Sequence, residues 1–460
     1  MQRLSALDAS FLHLENADVQ ANIGGVSVFE GPAPKQTDVL RRIEAKLAQV
    51  PRYRQRVHTL PGHLAAPLWV DDGHFNLGYH VRRTALPKPG DEAELRTLFG
   101  RVISQHLDDS KPLWELWVVE GLRGGRWAVL WKVHHAMVDG ISAGDLMGAL
   151  LDVRPDDDLG EPQPWTPSPE PTKREILGEV ARSAVNPLRR LGELPAASRD
   201  PRGLAVRIVG GVRSLLPLGG VLKPNRGPLN GPIGPHRRWA TISVPLEDVK
   251  SIRKQHGGTV NDVVLAVVTA GLRALLTSRG ESLDDLTVRT FVPVSMRAPD
   301  ARGVHGNQVA GLVAELPVSV PDAVERLNRI SRQMDGLKRS GQALAASAIV
   351  SLADFAPPML LALGGRTSLL MSGQTAVQTV TTNVPGPQHP LYFAGRRMVA
   401  LMPYLMLGPG VRVATSIFSY DGTLCFGVTA DYDSTPDIDV MTSGIAGGVA
   451  ELLAAPNEER

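Results

Sequence analysis

Residues 127–140 read Trp127-Ala-Val-Leu-Trp131-Lys-Val-His134-His135-Ala-Met-Val-Asp139-Gly140. Trp127, Val129, Trp131 and Val133 alternate with smaller or polar neighbours, the two-residue period of a strand. The run ends in two adjacent histidines, with an aspartate four residues after the second and a glycine behind it. Successive side chains on a strand point to opposite faces, so one histidine is expected to enter the protein body and the other a cleft. Functional groups are often mounted this way, on a rigid strand at the edge of a loop. Two ordinary histidines closing a buried strand would look the same so far. Three chemistries stay open. A metal site wants ligands sharing one face plus further donors, and adjacent histidines point apart. A serine hydrolase wants an exposed nucleophile on a strand-to-helix elbow; Gly140-Ile-Ser142-Ala-Gly144 has the Gly-x-Ser-x-Gly spacing but begins at the glycine of the histidine turn rather than at a strand end, and Met371-Ser372-Gly373 is a poor match. A lone histidine acting as general base on the substrate's own hydroxyl or thiol needs neither. Asp139 is then an ion-pair partner that holds the turn, with Arg297 one candidate, and Gly140 permits the turn.

At 460 residues the chain exceeds what one hydrophobic core usually serves, so two domains are expected. An apolar fraction of 43% and a charged fraction of 21% are those of a globular protein. A net charge of +2 argues against a nucleic-acid partner for the chain as a whole. The single cysteine, Cys425, excludes an intramolecular disulfide and suits a reducing compartment. No secretory signal and no run of about 18 charge-free apolar residues is read, so no transmembrane helix is expected.

Helical and strand periodicities alternate irregularly, which points to α/β or α+β architecture. Residues 37–50 form an amphipathic pattern, with Thr37 or Asp38 as its cap. Residues 91–107, 246–256, 261–279 and 321–339 also read as helices. Asn261 is a good N-cap for the third of these, which is its structural role by pattern. Strands are expected at 112–120, 236–245, 287–292, 306–316 and 379–384. Residues 411–420 and 423–432 read as a hairpin across Asp421-Gly422, with Cys425 a packing residue inside it. The chain divides as 1–160, a linker over 161–234, and 235–460. Within the linker, residues 173–226 carry eleven Lys/Arg against four Asp/Glu, interleaved with Leu, Val and Ile. That composition fits a helical crossover lying over the outside of the protein, and it also fits a surface that rests on anionic lipid. Residues 343–371 are apolar but cut by Pro357-Pro358 and Gly364-Gly365. They fit core helices or the lining of a greasy cavity.

His134-His135-Ala-Met-Val-Asp139-Gly140 matches the HHxxxDG signature of CoA-dependent acyltransferases. The flanking stretches resemble, more narrowly, the bacterial wax ester synthase/diacylglycerol acyltransferase family. They are Leu4-Ser-Ala-Leu-Asp-Ala-Ser-Phe-Leu-His-Leu-Glu15, Val50-Pro-Arg-Tyr-Arg-Gln-Arg-Val57, Pro112-Leu-Trp-Glu115 and Leu229-Asn-Gly-Pro-Ile-Gly-Pro-His-Arg-Arg238. Asn261-Asp-Val-Val-Leu-Ala, Pro293-Val-Ser-Met-Arg297, Gly306-Asn-Gln and Asn383-Val-Pro-Gly-Pro387 continue the series. The ordered set covers nearly the whole chain. The DFGWG signature of the plant branch is absent.

The resemblance implies two chloramphenicol-acetyltransferase-like domains with the active site in a tunnel between them. It implies acyl-CoA as co-substrate, no bound cofactor and no metal. The acceptor is a diacylglycerol, giving triacylglycerol, or a long-chain alcohol, giving a wax ester. His135 is assigned as the base, with His134 and Asp139 supporting it and Asn261 a candidate donor to the oxyanion. Glu15 and Gly140 are assigned to the substrate side. Residues 112–115 and 383–387 are read as structural or tunnel-shaping. A cytoplasmic chain is implied, peripheral on the inner face of the plasma membrane or on lipid droplets. Two rival readings stand beside it: the same fold acting on another alcohol or a carrier-bound acyl group, and a non-catalytic lipid-binding protein.

Overall fold

The computed structural model describes residues 2–60, 66–138, 150–155, 163–172, 174–176, 178, 227–295, 309–339 and 377–456. Asp139, Gly140, Arg297, the Gly306-Asn-Gln stretch, residues 343–371 and nearly all of 173–226 lie outside them. In chain order the first part runs β1 (Gln2–Arg3), α1 (Ala6–Leu14), β2 (Asn22–Phe29), α2 (Gln36–Lys46), β3 (Gln55–His58) and β4 (Leu68–Asp71). It continues with α3 (Leu77–His80), β5 (Val81–Ala85), α4 (Glu92–Ile103), β6 (Trp114–Leu122) and β7 (Arg126–His134). The second part runs β8 (Arg237–Pro245), α5 (Leu246–His256), α6 (Val260–Ser278), β9 (Val288–Ser295), β10 (Val309–Leu316) and α7 (Ala323–Arg339). It ends with β11 (Thr379–Val384), β12 (Tyr392–Phe393), β13 (Arg396–Tyr404), β14 (Val413–Tyr420), β15 (Thr423–Asp431) and α8 (Ile438–Ala454).

The first large sheet has the order β12-β13-β2-β7-β6-β5, with β7 near its centre. The alternation in residues 127–134 sorts two different cores. Trp127, Val129, Trp131 and Val133 pack with Phe29 and with Ile43 and Leu47 from α2 and the turn after it. Ala128 and Leu130 pack on the opposite side with Leu95, Phe99 and Ile103 of α4. Helices on both faces leave β7 buried on both sides, so its polar residues Lys132 and His134 need partners inside the protein.

The second large sheet has the order β10-β9-β11-β14-β15-β8. Its hairpin turns at Asp421 and Gly422, whose φ values of +43° and +80° fit the expected two-residue turn. Cys425 is buried within it, and burial pushes its thiol up to about 12, so it packs rather than reacts. The sheet is covered by α6, α8, α5 and α7. By length and composition α6 could cross a bilayer, but 72% of its apolar window is buried inside the protein, as in a core helix.

Two expected caps are corrected. At α6 the cap is Thr259, whose hydroxyl accepts from the Asp262 N–H while the Asp262 carboxylate accepts from the Thr259 N–H, a reciprocal box two residues before Asn261. Asn261 is already inside the helix. At α2 the cap position is Lys35, without a side-chain cap bond, so neither Thr37 nor Asp38 fills it.

The two sheets are joined by exchange of chain. After β11 the backbone leaves the second sheet, forms β12 and β13 in the first, and returns as β14, which lies parallel to β11. β13 pairs along β2 from Met398↔Phe29 to Tyr404↔Gly24. Its backbone is gripped from both sides. A Cβ on Gly25 would lie 2.6 Å from the Met402 carbonyl oxygen, and one on Gly427 would lie 1.9 Å from that of Pro403. Trp239 of β8 donates from Nε1 to the same Pro403 oxygen (3.0 Å) and shares a core with Phe99 and Tyr404.

Candidate active site

The end of β7 is fixed by backbone pairing before any side chain acts. Asn22 of β2 faces His134 in register, and the His135 N–H donates to the Ala21 carbonyl (2.7 Å). The chain then enters a short 3-10 turn over His135–Met137. His134 caps that turn: its Nδ1 accepts from the Ala136 N–H (3.0 Å). A ring nitrogen that accepts carries no proton, so the proton sits on Nε2. Nε2 lies 3.5 Å from Glu15 Oε2, an electrostatic contact longer than a well-formed hydrogen bond. His134 is fully buried, as one of the two histidines was expected to be. Its ring is committed to shaping the turn.

Glu15 arrives from the end of α1. Ser5 caps the start of this helix and donates its hydroxyl to Asp8 (2.5 Å), which accounts for two residues of the N-terminal motif structurally. Glu15 Oε1 accepts from the Ala21 N–H (3.0 Å), and His106 Nδ1 stands 3.9 Å from the same oxygen. Burial alone would raise the Glu15 carboxyl, but His134, the Ala21 N–H and His106 together hold it below its usual range. The loop after Glu15 is tied to the second half of the chain. Gln20 donates to the Pro235 carbonyl (3.2 Å), and the Arg237 guanidinium donates to the Asp18 carbonyl. Both anchors come from the motif at 229–238. The structure therefore places Glu15 against His134.

His135 sits differently. Its ring stacks on Phe11 of α1, with centroids 3.8 Å apart and planes 20° from parallel. Its Nδ1 is enclosed and has no partner at hydrogen-bonding geometry. Burial, and secondarily the neighbouring ionisable His134, push its pKa from 6.5 down to about 4, while its own backbone carbonyl opposes the fall. The imidazole is therefore neutral across the physiological range and free to take a proton. Phe11 borders a small apolar cluster of Val19, Ala21 and Met406, with Ile233 packed beside it.

Phe11 and Lys132 join the site without a motif of their own in the sequence. The four-residue spacing of Phe11 and Glu15 puts both on one side of a helix, a signal that could have found the first. Lys132 lies two residues before His134, hence on the same strand face. Its ammonium donates to the Val102 and Gln105 carbonyls (3.1 and 2.5 Å) at the end of α4, next to His106. Burial lowers it to about 8, with Glu115 opposing and Arg82 assisting the shift.

In the second half, Asn261 is half-buried, and its Oδ1 accepts from Asn383 Nδ2 (3.4 Å). Two motifs far apart in sequence thus meet; among the described residues neither amide bonds to a histidine. Thr259 and Asp262 of the same helix start line a polar cleft of about 560 Å³ with Asn328 and Asp335 of α7. Trp114 of the Pro112-Leu-Trp-Glu115 stretch stacks on His80 (4.6 Å) and donates to the Tyr53 carbonyl (2.9 Å). Glu115 pairs with Arg82 (3.1 Å). Those contacts are architectural. Among the described residues no group of three or more His, Cys, Asp or Glu could hold a metal ion.

Comparison with known proteins gives a consistent result. The model of the wax ester synthase/diacylglycerol acyltransferase catalytic domain matches residues 4–264, and that of the WS/DGAT C-terminal domain matches 305–452. A probable diacylglycerol O-acyltransferase of Mycobacterium tuberculosis is 37% identical over 459 residues, covering 99% of this chain and 96% of its own. Another relative from that species, described as a putative enzyme of the same name, is 34% identical over 98% of this chain and 99% of its own. A solved wax ester synthase/diacylglycerol acyltransferase from Marinobacter aquaeolei VT8 superposes with a TM-score of 0.66 at 27% identity, covering 98% of each chain. The first condensation domain of the calcium-dependent antibiotic synthetase superposes at 0.62 with 18% identity, covering 99% of this chain and 96% of its own. That similarity is of fold alone, and the fold is the one expected from the sequence.

Proposed function

Because the chain belongs to the wax ester synthase/diacylglycerol acyltransferase family, we propose that it moves a long-chain acyl group from acyl-CoA to the hydroxyl of a diacylglycerol or a long-chain alcohol, with His135 as general base. The observation that carries the role is the contrast within the pair: His134 is bonded on one nitrogen and faces a carboxylate with the other, while His135 is neutral and uncommitted.

With Nδ1 enclosed, Nε2 of His135 is the nitrogen that meets the acceptor. It takes the hydroxyl proton as the oxygen attacks the thioester carbonyl. The new C–O bond leaves a tetrahedral oxyanion, which collapses and breaks the C–S bond. The departing sulfur takes the proton from the imidazolium, giving the ester and free CoA and returning His135 to its starting state. A base whose pKa is about 4 is always available but weak. The oxyanion forming in the same low-dielectric site stabilises the imidazolium at that moment and offsets the weakness. Asn261 is the candidate donor to the oxyanion, and Asn383 beside it orients its amide. Glu15 fixes His134, which sets the backbone turn that presents His135. Asp139 and Gly140, which lie outside the described residues, are carried over from the motif as supporting residues.

His135→Ala should lower CoA-thiol release by roughly 10²- to 10⁴-fold, with the melting temperature close to wild type. Normal turnover in that folded variant would end the proposal. A protein that binds diacylglycerol but releases no CoA, from acyl-CoA or from a carrier-bound acyl group, would favour the non-catalytic rival.

Acceptor and product are both insoluble in water, so we place the chain peripherally at a lipid surface, on the inner face of the plasma membrane or a droplet. The basic, apolar composition of residues 173–226 supports this. Reversing Arg189, Arg190, Arg207 and Arg213 to Glu should reduce flotation with anionic liposomes more than about tenfold, since each basic residue near such a surface contributes about 1 kcal/mol. Unchanged flotation would remove the segment from the reading.

A further inference from the structure

We propose that Phe11 is a positioning residue for His135: its ring shuts water from one face of the imidazole and fixes the plane in which the base works. The inference rests on His135 being the base. It starts from the near-parallel stack, 3.8 Å between centroids and 20° between planes. A proton moves to and from a ring nitrogen along its lone pair, which lies in the ring plane. A flat neighbour at contact distance leaves that edge open and blocks approach to one face. Because Nδ1 is enclosed, the stack leaves the acceptor hydroxyl an in-plane path to Nε2.

The same helix serves both histidines. Phe11 and Glu15 are one turn apart, Phe11 against His135 and Glu15 against His134. Ser5 caps α1 at its start, and Gln20 and Arg237 hold the loop beyond its end. Phe11 is backed by Val19, Ala21, Ile233 and Met406, which come from both halves of the chain. Swinging it aside would disturb that cluster, so the stack is held rather than incidental.

Two effects of the aromatic ring on the charged form of His135 compete. A π face attracts a cation and would favour the imidazolium. Exclusion of water disfavours it, and for enclosed groups this is the larger effect. The lowered basicity of His135, with burial as its leading cause, agrees with exclusion winning. The ionisable neighbour bearing on the ring is His134, with Glu15 and His106 beyond it; the backbone of Ala21, which faces it from the β2 side, carries no charge.

Phe11→Ala and Phe11→Leu in the full chain, with isotope-labelled histidine, test this by NMR titration. The His135 signal is assigned by its loss in His135→Gln. In Phe11→Ala the midpoint should rise from about 4 toward the ordinary 6.5, with a smaller rise in Phe11→Leu, which keeps apolar bulk without the flat contact. The acid limb of kcat/KM should move with it, and kcat should fall about tenfold or more with KM for acyl-CoA little changed. A role in folding alone would move neither the midpoint nor the limb. Wild-type midpoints in both folded variants would overturn the proposal; if Phe11→Ala does not fold, Phe11→Leu decides. The titration needs no turnover, so it stands apart from the test of His135 as base.

Discussion

The end of β7 and the first turn of α6 solve the same problem in different ways. Under the proposed function, each presents one polar side chain to substrate while satisfying the backbone groups around it. At β7 the work falls on an immediate neighbour: His134 accepts from Ala136 and faces Glu15, and His135 is left over. At α6 the work falls on Thr259 and Asp262, whose reciprocal cap satisfies the helix start without Asn261. At both ends the structural groups, His134 and Asp262, are fully buried while His135 and Asn261 are half-buried, and the helix end adds Asn383 beside Asn261 and a polar cleft at its cap. The difference teaches that a residue type suited to a structural job need not be doing it. Asn261 looks like a cap, and because a better cap precedes it, its amide is available for other work.

That comparison breaks if Asn261 matters to the helix. Asn261→Ala should cost about 10²- to 10³-fold in kcat, the usual effect of losing one oxyanion donor, and leave the melting temperature near wild type. A large drop in melting temperature with normal kcat would return Asn261 to a structural role. On the histidine side, Glu15→Gln keeps the shape and removes the charge opposite His134. A loss of about tenfold in kcat is expected as the turn that presents His135 loosens, read by CoA release at saturating substrate. The smallest effect sharpens the contrast: Thr259→Ala should cost about 1 kcal/mol of stability in denaturant titration, with activity per folded molecule close to wild type. If Thr259→Ala lost activity as strongly as Asn261→Ala, cap and site would not be separable.

Much of this was legible because local signals and tertiary needs coincide. The hairpin at Asp421-Gly422 announces itself, since both turn residues adopt positive φ at little cost. The strand reading of 127–134 held because both faces of β7 are filled by ordinary cores. Strand β13 is not signalled by its sequence. Arg396-Arg-Met-Val-Ala-Leu-Met-Pro-Tyr404 has no clean alternation, and its register shifts between Met398 and Ala400, so each side chain's face is set by its neighbours rather than by a period. Helix α8 is equally hard to read; Asp439, Thr442, Ser443 and Glu451 are polar, and Gly444, Gly447 and Gly448 weaken the helical pattern until packing on α6 supplies the stability. Asn261 reads as a cap because Asn is a good one, although Thr259 and Asp262 carry the spacing of a capping box. Phe11 lies inside the 4–15 stretch, yet nothing local says that its partner is 124 positions away in a strand end. Contacts of that kind belong to the fold.

The loan of β12 and β13 to the first sheet has a thermodynamic consequence. A protein whose lobes each owned their strands could part at the seam and melt in two steps. Here the seam is crossed by a paired strand, gripped by Gly25 on one side and Gly427 on the other, so separating the lobes means unpairing a sheet. Heat should therefore find a single transition rather than two, and amides of β13 should exchange with solvent as slowly as those of β2 and β7. Under the reading proposed above, substrates would reach His135 by threading between lobes that stay shut.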